Sequence, residues 1–260
     1  MKSVRDFWGE RSEKYGRKIE GVLPKSFPKV LNNYLDRWMY EGIKKEIPKN
    51  ASLNILDLGC GYGRLSKKIL SDFPKTRVYG VDVAREYVDI YNQDLAPRGK
   101  AYLSDIRRLP FKDSYFDQVF MVTTLMYLVT KKDQLKALNE MFRVLKNGGK
   151  FIIIERNPKG HSIVTLGGLI EKIRGGRFKE ITSVSFKKEY LEYLIKASGG
   201  SIKKERGIGI FSIFFHSLFV ISLISEVFAE KLLRLVRVLD EESGKLLTLS
   251  LYILYSGEKK

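Results

Sequence analysis

The sequence predicts an α/β protein: a doubly wound seven-stranded mostly parallel sheet with a helical N-terminal lid and a C-terminal cap helix. Three observations carry that prediction. Short apolar runs bounded by turn residues alternate with stretches of helical apolar spacing. The run Ile55–Leu58 opens into Gly59-Cys-Gly-Tyr-Gly63, alternating glycines that permit positive φ and close backbone approach at the mouth of a helix. Acids stand at the ends of three successive strand signals, at Asp57, Asp82 and Asp105. With no internal repeat or low-complexity linker, the 260 residues read as one domain: a lid over 1–50, a core over 51–156, and a cap with the last strands over 157–260.

Pro28 can start a helix, and Leu31, Tyr34, Leu35, Trp38, Ile43 and Ile47 keep helical spacing until Pro48 ends it. Ahead of it, Phe7, Trp8 and Tyr15 in a short charged segment imply that the N-terminus packs on something. Leu53–Leu58 reads as a buried strand, and the helix after the glycines carries Leu65, Ile69, Leu70 and Phe73 on one face. Arg77–Val83, Ala101–Ser104 and Phe116–Val122 are the next strands. A helix over Gln134–Leu145 is expected to stop at Asn147-Gly148-Gly149, before a fifth strand over Phe151–Glu155. Ser185 is expected to cap a further helix ending at Gly199-Gly200, followed by a strand near Ile202–Ile210. A long apolar helix over about His216–Leu239 and a closing strand over Leu246–Tyr255 complete the chain.

The run from Gly207 to Ser225 holds no charge, which raises a membrane-spanning reading. Its glycines, serines and His216, and the spacing of Glu226, Glu230 and Arg234 beyond it, favour an amphipathic cover or a lipid-touching surface instead. No transmembrane helix is expected. Met1 to Glu10 is mixed and charged, without an apolar signal segment, so a cytoplasmic location, in solution or peripheral to a membrane, is expected. The formal charge of +17 suits an anionic partner such as RNA, a lipid surface or a phosphorylated metabolite, and equally a lysine-rich solvated surface. A single cysteine, Cys60, excludes an intramolecular disulfide and a zinc site built from cysteines; no metal is expected.

Asp82 lies 23 residues after Gly59, where a carboxylate can accept from both hydroxyls of a ribose; the competing reading is a helix N-cap. Asp57, at the strand end, could accept from an amino group. Asp105 could accept from an exocyclic adenine amine with the Ile106 backbone at a ring nitrogen, or could be a turn residue. Together the three acids fit an adenosine-containing ligand crossing the carboxyl edge of the sheet.

These motifs resemble the class I S-adenosylmethionine-dependent methyltransferases, in the type-11 branch that includes ubiquinone/menaquinone-biosynthesis C-methyltransferases. The resemblance rests on Asp57-Leu-Gly-Cys-Gly-Tyr-Gly63, Gly80-Val-Asp82-Val, Ser104-Asp-Ile-Arg-Arg-Leu-Pro-Phe111, Phe116-Asp-Gln-Val119 and Arg143-Val-Leu-Lys-Asn-Gly-Gly149, in order over residues 53–155. It implies a Rossmann-like fold and S-adenosyl-L-methionine as cofactor, bound by the core over 51–156. Gly59, Cys60, Gly61 and Gly63 would wrap the methionine part, with Cys60 a backbone position and not a nucleophile. Asp82 would bind the ribose, Val83 would lie against the adenine, and Asp105 and Ile106 would read it. Thr123 would lie near the sulfonium, and Tyr15 would close over the cofactor from the lid.

Where family members often carry a histidine after the fourth strand, this chain has Tyr127, which could orient a substrate or simply pack. No Asn/Asp-Pro-Pro-aromatic signature of nucleobase-amine methylation follows that strand. The only histidines, His161 and His216, read as structural or surface residues, and no catalytic residue is assigned. Methyl transfer from a sulfonium needs mainly alignment, so a missing base does not argue against an enzyme. The leading reading is transfer to an O, N or C atom of a small acceptor, hydrophobic ones included, beneath the apolar cover of Phe211, Phe214, Phe215, Leu218, Phe219 and Ile221. RNA methylation and a non-catalytic cofactor-binding module are the alternatives. A nicotinamide-dependent oxidoreductase is disfavoured, because the dinucleotide fingerprint places two residues between its second and third glycines and this chain has one.

Overall fold

A computed structural model describes residues 2–24, 27–50, 52–160, 181–209, 221–222, 224–242 and 250–260, with backbone alone for 236–242. Seven strands form one sheet: β1 (Asn54–Leu58), β2 (Arg77–Asp82), β3 (Gly99–Leu103), β4 (Phe116–Val122), β5 (Leu145–Arg156), β6 (Gly200–Ile208) and β7 (Tyr252–Lys259). Their order is β3-β2-β1-β4-β5-β7-β6. The first five are parallel neighbours, and β7 runs antiparallel between β5 and β6. The order reverses between β1 and β4, so the crevice beyond their carboxyl ends is where such a sheet accepts a ligand.

The central strands are buried on both faces, which is why they read as continuous apolar runs. On one side Ile55, Phe120, Val122, Ile152 and Ile154 pack against α2 (Lys29–Lys44), α3 (Arg64–Asp72) and α4 (Arg85–Leu95). On the other, Leu56, Leu58, Met121 and Ile153 meet α5 (Lys131–Val144) and α6 (Lys188–Ala197). The lid helix α1 (Val4–Tyr15) is capped by Ser3 and joined to α2 through a 3₁₀ turn at Ile19–Gly21. Arg11 staples the two: it donates to the carbonyls of Gly21 at 2.8 Å and Glu20 at 2.5 Å, with its guanidinium near the rings of Phe7, Trp8 and Tyr15.

Several boundaries differ from those expected from the sequence. Helix α5 ends at Val144, before the glycines, because Leu145 already pairs with Phe116 and starts β5; Gly148 (φ +69°) then turns inside that strand. Helix α6 starts at Lys188 with Lys187 as its N-cap, so Ser185 does not cap it. The last helix, α7 (Glu226–Glu242), begins after Ser225, whose Oγ accepts from the Phe228 N–H at 3.2 Å. Strand β7 runs Tyr252–Lys259, with Ser250 and Leu251 ahead of it outside the strand, and the expected start at Leu246 lies outside the described residues. His161, His216 and the apolar positions from Phe211 to Phe219 lie outside the described residues. Among the described residues, no helix is long and apolar enough to cross a membrane.

Candidate active site

The carboxyl ends of β1, β2, β3 and β4 open into a cavity of about 680 Å³. That lies within the roughly 300–1,000 Å³ of small-molecule sites. Its floor comes from Asp57, Gly59, Cys60, Gly61, Asp82, Val83, Asp105, Ile106 and Thr123. These are the residues singled out by sequence, apart from Gly63 and Tyr15, which do not line the cavity.

The turn after β1 is made by hydrogen bonds as much as by glycine. The N–H groups of Gly59 and Cys60 both donate to the Val81 carbonyl, at 2.8 and 3.1 Å, tying the turn to β2. Gly59 has φ +75°, and a Cβ there would stand 2.3 Å from Thr124 Oγ1, so both conformation and space require glycine. A Cβ on Gly61 (φ +52°) would meet only Val22, at 3.2 Å, which leaves its backbone facing open cavity. Gly63 packs instead under Tyr91 and Leu95 of α4, each 2.7 Å from where its Cβ would be. The Cys60 thiol is buried over Gly80 and burial pushes its pKa up, which opposes thiolate formation.

Asp82 accepts from Gly61 N–H at 2.8 Å and Ala84 N–H at 2.9 Å, so its carboxylate organises the glycine turn and the start of α4 together. Burial raises its pKa against those bonds. Asp57 is buried, with one oxygen accepting from Ser66 Oγ at 2.7 Å; burial pushes its pKa up to about 7. Asp105 differs from both: Arg107 grips it bidentately, Nε to Oδ1 at 3.0 Å and Nη2 to Oδ2 at 2.7 Å. Burial opposes its ionisation, but Arg107 outweighs burial and holds the carboxyl below its ordinary range. Arg107 also reaches Asp133 at 2.9 Å. Thr123, at the end of β4, has φ +52°, a conformation a β-branched residue adopts only under constraint; its N–H is fixed to the Ile154 carbonyl at 2.8 Å.

The cavity also draws on residues that the sequence reading did not assign. Arg64 lines it, paired with Asp36 of α2. Tyr87 of α4 lines it with a buried hydroxyl that has no hydrogen-bond partner. Trp8 of α1 lines it too and meets Tyr127 edge-on, ring centroids 5.3 Å apart. Arg64 and Tyr87 follow the glycines and Asp82 by one and five residues, a local signal; Trp8 depends on how the lid folds back.

Residues 55–149 match the family described as a methyltransferase domain. The chain is 31% identical to a ubiquinone/menaquinone biosynthesis C-methyltransferase of Geobacter sp. over 157 residues, 55% of this chain and 65% of that one. Residues 55–149 thus hold a methyltransferase domain, on a sheet with the class I methyltransferase fold. A sterol 4-C-methyltransferase of Caenorhabditis elegans is 30% identical over 148 residues, 55% of this chain and 42% of that protein. The chain thus spans less than two thirds of these curated relatives. Geranyl diphosphate C-methyltransferase from Streptomyces coelicolor shares the fold at TM-score 0.64 and 13% identity, with all of both chains covered. The class I methyltransferase cofactor, S-adenosylmethionine, fits this floor. The open backbone at Gly61, the buried Asp57 and the partly buried Asp82, both acids with acceptor sites to spare, suit a ligand rich in hydroxyl and amino groups.

Proposed function

We propose that the chain transfers the methyl group of S-adenosylmethionine to an O, N or C atom of a small apolar acceptor. One observation carries the acceptor class: Val4, Trp8, Tyr127, Leu128 and Val129 line the cavity with Thr123, an apolar set next to Ser3, Arg5 and Asp6 at the start of the lid. The names of the similar proteins, which carry a sterol, ubiquinone/menaquinone and geranyl diphosphate, agree with that lining.

In this reading the backbone at Gly59, Cys60 and Gly61 holds the methionine part and Asp57 accepts from its amino group. Asp82 takes the ribose hydroxyls, Val83 and Ile106 sandwich the adenine, and Asp105 accepts from its amine through the lone pairs Arg107 leaves free. When bound, the cofactor supplies a methyl carbon activated by its sulfonium charge. The protein's task is then alignment: Thr123 marks the reacting end, and α1 with Trp8 excludes water from above. Gly63 serves by seating α3 against α4. Tyr15 acts only through the lid, by its packing against Gly21 and Arg11. Tyr127 is half-buried and burial raises its pKa, so it shapes the acceptor pocket and is no base at neutral pH.

The net charge of +17 supports a second reading, with RNA as acceptor. Incubation with methyl-labelled S-adenosylmethionine and, separately, a total lipid extract or total RNA distinguishes the two. Label in organic-soluble small molecules is expected. Label in RNA alone would overturn the acceptor class, and cofactor binding without label in either would point to a non-catalytic module.

A further inference from the structure

We propose that the outer face of α7 docks the protein on an anionic membrane surface. Among the described residues the four most exposed large hydrophobics are Ile224 (82% exposed), Val227 (67%), Phe228 (54%) and Leu235 (67%). All four lie on or just before one helix. At about 100° per residue Val227, Phe228 and Leu235 fall on a single arc of about 100° with the exposed Lys231 among them, and Ile224 stands just before the break at Ser225. Glu226 and Glu230 line the groove between α7 and α2 together with Val227 and Arg234, and Arg234 bonds Glu230 at 3.3 Å. The opposite face, with Ala229 and Leu233, is buried against the body of the protein. Among the described side chains the helix is therefore apolar on both sides, with Lys231 inside the outward stripe and the Glu230–Arg234 pair at its edge.

An outward apolar stripe with a lysine among its apolar side chains is the pattern of a helix lying in the headgroup plane with its side chains in the acyl boundary. Charge selects this occupant over a second copy of the chain. Two copies of a +17 protein meeting through faces that each carry Lys231 would repel, whereas an anionic bilayer complements both that lysine and the whole molecule. Across the groove, Lys29 and Arg37 of α2 add positive charge beside the same helix. Docking is independent of the acceptor assigned above, although it would bring the cavity to a membrane-dissolved one.

The test is co-sedimentation of the full chain with phosphatidylcholine vesicles with and without about a third phosphatidylserine, alongside the variants V227E/F228E and K231E. These residues lie outside the cofactor cavity, so binding of S-adenosylhomocysteine serves as the check on folding. The wild type should bind the anionic vesicles in preference to the neutral ones and release them at high salt. V227E/F228E should lose at least tenfold in partitioning and K231E about fivefold, both with cofactor affinity unchanged. Wild-type protein that stays in solution with both vesicle types overturns the proposal. So does a V227E/F228E variant that binds like the wild type, or a concentration-dependent dimer that this variant dissociates.

Discussion

Glycines 59 and 148 share positive φ and differ in what surrounds them, which separates conformational strain from close packing. Alanine at 148 meets open space and should cost about 1 kcal/mol. Alanine at 59 collides with Thr124 as well, and about 2–4 kcal/mol is expected in chemical denaturation, with loss of cofactor affinity. Equal costs for the two would contradict this account. Glu155 shows another residue-level effect. It is buried at the end of β5, accepts from Leu125 N–H at 2.8 Å through one oxygen and has no partner for the other, and burial pushes its pKa up to about 8. A carboxyl whose folded pKa lies above its unfolded value contributes most at low pH, and that stability drains away as pH rises from about 5 to 8. Asp57, raised to about 7, acts in the same direction. The E155Q variant should flatten the fall in stability over that window by on the order of 2 kcal/mol; an unchanged pH profile of the melting temperature would refute the assignment.

At the scale of elements, the lid and the last helix are held by few, nameable contacts. Arg11 bonds the carbonyls at the 3₁₀ turn and lies against three aromatic rings of α1, so R11A should loosen the cavity roof. Faster proteolysis within residues 2–24 and a several-fold weaker cofactor affinity are expected, with the melting temperature little changed. Ser225 caps α7, and S225A should cost about 1 kcal/mol. The elements legible in sequence were those whose local signals agree: the glycine turn, β1, β2, β4 and α2. The boundary of α5 was not, because β-pairing of Leu145 with Phe116 overrides the Asn-Gly-Gly stop signal. Nor was the start of α7, where the uncharged run hides a serine cap among other serines. At the site, the acids following β1, β2 and β3 carried the reading, since their spacing is set along the chain. Arg107's grip on Asp105, the strained Thr123 and Trp8 over Tyr127 depend on contacts that only the fold creates.

Over the whole molecule, one sheet reverses its order at β1 and β4 and puts the polar floor and the apolar wall of a single cavity side by side. The proposed function depends on that arrangement: a floor suited to an adenosyl ligand by its backbone and acids, beside apolar lining suited to the proposed acceptor. Asp82 is its keystone, because its carboxylate joins the glycine turn, the start of α4 and the cavity. The most direct measurement is calorimetric titration of the wild type, D82A and G148A with S-adenosylhomocysteine, with thermal melts to confirm that each is folded. One site per chain is expected, at least tenfold weaker in D82A and unchanged in G148A. Absence of binding in the folded wild type, or equal affinity in D82A, would contradict it.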